Sequence, residues 1–137
     1  MSVPRPVDGI LETCLYASDL DAAAAFYENL LGLDVFSSVA GRHVFFRCGR
    51  AMFLVFNADR TSTQDAGVPA HGAHGPGHVC FAIEDESIDA WRERLRNRNV
   101  AIEYEQTWPR GGRSIYIRDP AGNSVELASP RIWGLEP

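Results

Sequence analysis

The chain has 137 residues, 45% of them hydrophobic, and a formal net charge of −5. That length suffices for one domain burying roughly two-thirds of its unfolded surface. The acidic balance argues against a phosphate backbone as partner, and no apolar run approaches the roughly 20 residues that cross a bilayer, so neither nucleic acid nor membrane is expected.

Residues 10–17 read as a strand, with Leu11, Thr13, Leu15 and Ala17 on one face and Glu12, Cys14 and Tyr16 on the other. Ser18 or Asp19 then caps a helix in which Leu20, Ala23, Ala24, Phe26, Tyr27, Leu30 and Leu31 recur at helical spacing. Gly32 is placed to end it in the left-handed conformation. Residues 33–39, 43–48 and 51–57 form three short strands with turns between them. A loop over 58–76, rich in Thr, Gly, Pro and His, is long enough to expect a task for it. His71, His74 and His78 are spaced by three and four residues, a spacing compatible with a metal cluster of their own. The Gly-rich setting of the first two favours a flexible lid instead.

The order then repeats. A strand over 78–84 turns Val79, Phe81 and Ile83 to the helices and His78, Cys80 and Ala82 away from them. A helix over about 86–97 carries Ile88, Trp91 and Leu95 on one face, followed by strands near Val100, Ser114 and Val125. Asp119-Pro120-Ala121-Gly122-Asn123 is a turn, since Pro presets one dihedral and Gly admits positive φ. Cys14, Cys48 and Cys80, an odd number without paired spacing, fit free thiols and a cytoplasmic setting.

Residues repeat with the elements. Gly41-Arg42-His43-Val44-Phe45-Phe46-Arg47 matches Gly112-Arg113-Ser114-Ile115-Tyr116-Ile117-Arg118, and Glu12 precedes Asp19 as His78 precedes Asp85, by seven residues. The chain is therefore one domain, 1–137, made of a unit over about 7–57, a linker over 58–76, a second unit over 77–130 and a tail over 131–137. Glu12, His78 and Glu126 fall at corresponding strand positions, on faces turned from the helices. Counting from Gly49 and Gly122 puts Phe53 at the fourth such position. A single strand Glu or His is ordinarily a surface residue; three in one repeat frame point to a metal site. The same alternation sets His43, Phe45 and Arg47, and Ser114, Tyr116 and Arg118, towards the interior or its rim.

These segments, with Phe26-Tyr27, Leu31-Gly32, Gly77-His78-Val79-Cys80-Phe81 and Glu126-Leu127, resemble the vicinal oxygen chelate superfamily, which groups glyoxalase I, extradiol dioxygenases, and fosfomycin and bleomycin resistance proteins. The resemblance implies an α+β fold: two tandem βαβββ modules forming an open, cup-shaped mixed sheet with the helices outside. It implies one divalent metal held by Glu12, His78 and Glu126, and a homodimer in which the cup is completed between chains. Phe53 stands where many glyoxalases have a Glu, which leaves open positions for water or substrate. Two carboxylates and an imidazole suit Fe²⁺, Mn²⁺, Ni²⁺ or Zn²⁺.

The expected function is that of a metal-dependent enzyme, lactoylglutathione lyase-like or extradiol dioxygenase-like, acting on a small anionic or vicinal-oxygen-bearing substrate. Glu126 and Tyr116 are its candidate catalytic residues, Tyr116 as acid or hydrogen-bond donor. His43, Phe45, Arg47, Phe53, Ser114 and Arg118 are the candidate substrate contacts, the arginines suiting a carboxylate or phenolate. A drug-sequestering protein of the bleomycin-resistance kind is the alternative, which the retained ligands disfavour. Fosfomycin is not the expected substrate, because Cys14 stands where a Thr, and Gln106 near where a Lys, would be expected.

Overall fold

A computed structural model describes residues 2–63 and 67–135. Part of the expected linker, at 64–66, and the end of the expected tail, at 136–137, lie outside the described residues. Eleven elements organise the chain: β1 (Glu12–Tyr16), α1 (Leu20–Ala25), β2 (Asp34–Val39), β3 (His43–Cys48), β4 (Ala51–Phe56), α2 (Ala58–Thr61), β5 (His78–Ala82), α3 (Ile88–Asn97), β6 (Tyr104–Thr107), β7 (Arg113–Arg118) and β8 (Ser124–Ala128). They build two four-stranded sheets, ordered β1-β4-β3-β2 and β5-β8-β7-β6. In each sheet the outer first strand runs parallel to its neighbour and the remaining pairs are antiparallel. The fold is the expected α+β pair of βαβββ modules.

Local chemistry accounts for most element boundaries. The Asp19 carboxylate caps α1 by accepting from the Ala22 N–H at 3.0 Å. The helical stretch then widens into a π-helical turn over Phe26–Leu30, which buries Tyr27 and Leu30, and Gly32 leaves it at φ +80°. The 58–76 segment is less irregular than its composition suggests. Asn57 accepts from the Asp59 N–H and starts the short α2, and the His71 N–H donates to the Thr61 carbonyl. The strand expected near Val100 begins at Tyr104 instead. Asn99 takes φ +57° and the Val100 N–H returns to the Leu95 carbonyl, so Val100 closes the helix and packs on the core.

The two modules share one core. Tyr27, Phe46, Phe53 and Val55 from the first meet Phe81, Leu95, Ile115, Val125 and Leu127 from the second, and Phe53 meets Phe81 edge-to-face across the junction at 5.2 Å. A buried polar latch crosses the same junction. The Tyr27 hydroxyl donates to Asp119 Oδ2 at 2.7 Å, which holds the phenol above its ordinary range, first by burial and then by the carboxylate. Asp119 also accepts from the Ala121 and Asn123 N–H groups and from Asn123 Nδ2. Asn123 Oδ1 accepts from the Gly77 N–H at 2.7 Å while its Nδ2 donates to the Tyr16 carbonyl at 3.1 Å. The residue preceding His78 is thereby fastened to β1 of the other module.

Strand register corrects one expectation. Cys80 lies opposite Glu126 in the β5/β8 pair, and the matching Cys14 lies opposite Leu54 in the β1/β4 pair. Leu54, not Phe53, therefore holds the position equivalent to Glu126. The slip arises at the hairpins: the β3/β4 turn closes through Gly49-Arg50 alone, whereas the β7/β8 turn spans residues 119–123. Counting from the glycine thus lands one residue short, and one residue flips the face. Phe53 is 1% exposed and packs against Tyr27, Phe46 and Phe81, so it is a core residue and not part of the face that carries Glu12.

Candidate metal centre

β5 and β8 are parallel neighbours, and alternation sends His78, Cys80, Glu126 and, from β7, Ser114 and Tyr116 to the same face. His78 Nε2 stands 3.3 Å from Glu126 Oε1, the imidazole side chain 50% exposed and the carboxylate side chain 8%. The other ring nitrogen, Nδ1, is 3.2 Å from both the carbonyl and the hydroxyl of Ser124. In the tautomer with its proton on Nδ1, that nitrogen donates to the carbonyl and the Nε2 lone pair faces the carboxylate, an arrangement that a proton or a cation between the two would satisfy. A ring fixed through Nδ1 to a backbone oxygen is also the usual support of a ligating histidine.

Glu126 is fixed as firmly. Its Oε2 accepts from Ser114 Oγ at 2.5 Å, and Ser114 Oγ accepts from Trp108 Nε1 at 2.7 Å. Ser114 is fully buried. The serine thus supports the carboxylate and is shielded from direct substrate contact by that burial. Tyr116 lies beside the pair, its ring nearly parallel to that of His78. Burial, then the Glu126 charge, raises its phenol above the ordinary value. Cys80 is pushed up to about 12 by burial and then by Glu126, so it stays a neutral thiol.

Glu12 does not join this pair. The pocket over His78 and Glu126 receives Ile10 and Thr13 from the first module, and Glu12 alternates with Thr13, so its side chain leaves on the opposite face. Among the described residues no three His, Cys, Asp or Glu side chains converge on one point. A single chain therefore assembles two of the three expected ligands, and its Glu12 is exposed.

The remaining expected residues distribute as follows. On the face of the first sheet that carries Glu12, His43 stacks on Phe45 at 3.9 Å and Phe56 meets both rings edge-on. His43 Nδ1 is buried without a hydrogen-bond partner, and burial, then Arg42, lowers its pKa. His71 docks on this face: its Nδ1 is 2.6 Å from the Tyr16 hydroxyl and its ring sits against Phe56. His74 instead lies 4.0 Å from Asp59, so the three histidines make no cluster of their own. Arg47 lies over the Phe36 ring at 4.6 Å. Arg118 is forked onto Glu103 at 2.6 and 3.0 Å. Both guanidinium groups are occupied within the chain and neither enters the His78–Glu126 pocket.

Trp108, Ile132 and Trp133, to which the sequence assigns no role, wall that pocket. They lie in a Gly- and Pro-rich loop and a 3₁₀ turn, Pro130–Trp133, where no periodicity assigns a face. The tryptophans themselves, rare and large, were the available signal.

A two-module fold with a His–Glu pair oriented in a half-open pocket defines the class. The chain belongs to the Glyoxalase/Bleomycin resistance protein/Dioxygenase superfamily, whose family model matches residues 9–127. It is similar to a lactoylglutathione lyase from Agrobacterium tumefaciens, with 46% identity, a TM-score of 0.92 and coverage of 96% of this chain and 100% of that one. A glyoxalase/bleomycin resistance protein/dioxygenase from Nocardioides is 28% identical at a TM-score of 0.70, covering 93% of this chain and 85% of the other. Metallothiol transferase FosB of Staphylococcus epidermidis is 26% identical over 125 residues, 88% of this chain and 81% of that protein. Among the described residues no helix is long and apolar enough to cross a membrane.

Proposed function

We propose that the protein is a divalent-metal-dependent enzyme that works as a homodimer, each site holding one metal between His78 and Glu126 of one chain and Glu12 of the other. The observation that carries this reading is the oriented pair itself, with Nε2 and Oε1 facing each other at 3.3 Å and each side chain anchored behind by a serine. Glu12 supports it from the other direction, as an exposed carboxylate that its own chain turns away from the pair. Fe²⁺, Mn²⁺, Ni²⁺ and Zn²⁺ all suit two carboxylates and one imidazole. Such an ion supplies Lewis acidity towards two neighbouring substrate oxygens.

The chain's own groups divide the remaining work. Ser114 holds Glu126 so that only Oε1 faces the pocket. Tyr116, kept protonated at neutral pH, is a hydrogen-bond donor to a substrate oxygen. The relatives named for lactoylglutathione and for metallothiol transfer favour lyase or transferase chemistry over ring cleavage. Sequestration of a small molecule without chemistry is the second reading, and the aliphatic Leu54 at the fourth ligand position favours it.

Mixed dimers of Glu12→Gln and Glu126→Gln chains test the proposal. One site of such a dimer is intact and the other doubly altered, so metal content returns to about half that of the wild type while either variant homodimer stays empty. Full metal in the Glu12→Gln homodimer would remove Glu12 from the ligand set. Stoichiometric metal with no turnover of hemithioacetal or catechol substrates would leave sequestration.

A further inference from the structure

We infer, building on the metal-centre reading above, that the ligand of this site bears a flat, uncharged aryl group that lies against Trp108 and the Ile132–Trp133 turn while its chelating oxygens face His78 and Glu126. The pocket over the pair is a cavity of about 490 Å³ whose walls include Trp108, Tyr116, Ile132 and Trp133, and no Lys or Arg side chain lines it. Of the guanidinium groups nearby, Arg118, which borders the adjoining hollow with Trp108 and Tyr116, is engaged with Glu103, Arg131 is engaged with Asp85, and Arg110 lies close to Gly134. A substrate carboxylate or phosphonate entering here would lose hydration without gaining a counter-charge from the walls.

Trp108 is more than an apolar wall. Its indole N–H donates to Ser114 Oγ, the atom that in turn donates to Glu126 Oε2, so the ring is held at a fixed offset from the ligand carboxylate. A ligand that stacks on this indole is thereby positioned relative to the chelating atoms, which aliphatic walls would not achieve. Trp133, 75% exposed, and Ile10, 80% exposed, leave apolar surface at the mouth, which an aryl group would cover. The face that carries Glu12 is aromatic too, through His43, Phe45 and Phe56, and the Arg47 of that face lies over the Phe36 ring. In the proposed dimer this face closes the pocket from the other side.

The test compares acetohydroxamate, benzohydroxamate and succinate monohydroxamate, which share one bidentate oxygen head, by calorimetry on the Ni²⁺-loaded dimer. Benzohydroxamate is expected to bind about tenfold tighter than acetohydroxamate, from ring contacts alone, and succinate monohydroxamate no tighter than acetohydroxamate. Trp108→Ala and Trp133→Ala should each shrink the benzo preference, whereas Trp108→Phe, which keeps a ring but loses the N–H that fixes it, should fall between wild type and Trp108→Ala. The inference is overturned if the succinate probe binds tightest or if the aryl preference survives both alanine variants. Should Ni²⁺ not load, the metal-centre reading fails separately, and 2-naphthol binding to the metal-free protein, followed by saturation-transfer NMR, decides the aryl slot. Binding lost in Trp108→Ala sustains the slot, and no binding to the wild type ends it.

Discussion

The two modules are copies in topology and opposites in chemistry. In the second, the face turned from the helices holds His78, Ser114, Tyr116 and Glu126, linked by hydrogen bonds that aim the imidazole and the carboxylate. In the first, register-matched positions hold Glu12, His43, Phe45 and Leu54, and the face is largely aromatic and aliphatic, with its exposed glutamate and Arg47 the charged exceptions among the paired strand positions. In the proposed site one duplicated scaffold would supply a ligand pair from one half and, from the other, an apolar wall with the third ligand, a carboxylate. The polar network lies behind the proposed pair because a buried carboxylate such as Glu126 needs donors at its back.

The sharpest way to break the comparison is at the pair itself. His78→Ala or Glu126→Gln should abolish metal binding at micromolar concentrations, read by elemental analysis of dialysed protein, while circular dichroism stays native. Next in size is the register difference between Phe53 and Leu54. Phe53→Ala should cost about 3–5 kcal/mol of stability in urea, as core phenylalanines do, with metal per folded chain unchanged. Leu54→Glu should tighten metal binding by placing a fourth ligand, a third carboxylate, on the ligand face. A stable Phe53→Glu protein with tightened metal would reverse the assignment.

Ser114→Ala probes the support behind Glu126. Loss of a partner behind a ligand typically weakens metal about 10- to 100-fold, and competition with a fluorescent chelator would measure it. Trp108→Phe should weaken metal less, since it removes only the donor behind the serine. Equal affinities for wild type and Ser114→Ala would mean that the Glu126 orientation needs no second partner.

Much of this was readable in the chain, and the failures have causes. The limits of β3 matched the hydrophobic pattern at both ends because turns bound it on each side. Alternation correctly set His78 and Glu126 on one face. It could not say that the Glu12 face and the His78 pocket diverge within a chain, since strand period fixes sides of a sheet and not how two sheets pack. Phe53 was misplaced by unequal hairpin lengths, which pairing reveals and counting does not. Trp108 acquires its role through a hydrogen bond to a strand six residues on, across a loop whose geometry no periodicity encodes.

The smallest expected effect lies on the outer surface of the second module. Arg92 reaches both Asp89 and Glu105, and both carboxyls are held below their ordinary values, chiefly by hydrogen bonds from that guanidinium. A depressed carboxyl pKa contributes stability that is fully present above the unfolded value, about 4, and is lost as pH falls through the folded one. Arg92→Met should therefore lower the melting temperature slightly at pH 7, with the gap to wild type closing on acidification. The first module shows no such pair on its matching helix among the described residues, its α1 being an alanine-rich turn. The asymmetry predicts that acid loosens the second module's outer face first, by hydrogen exchange at α3 before α1. A gap that stayed constant in acid would show that Arg92 acts through packing of its stem and not through its charge.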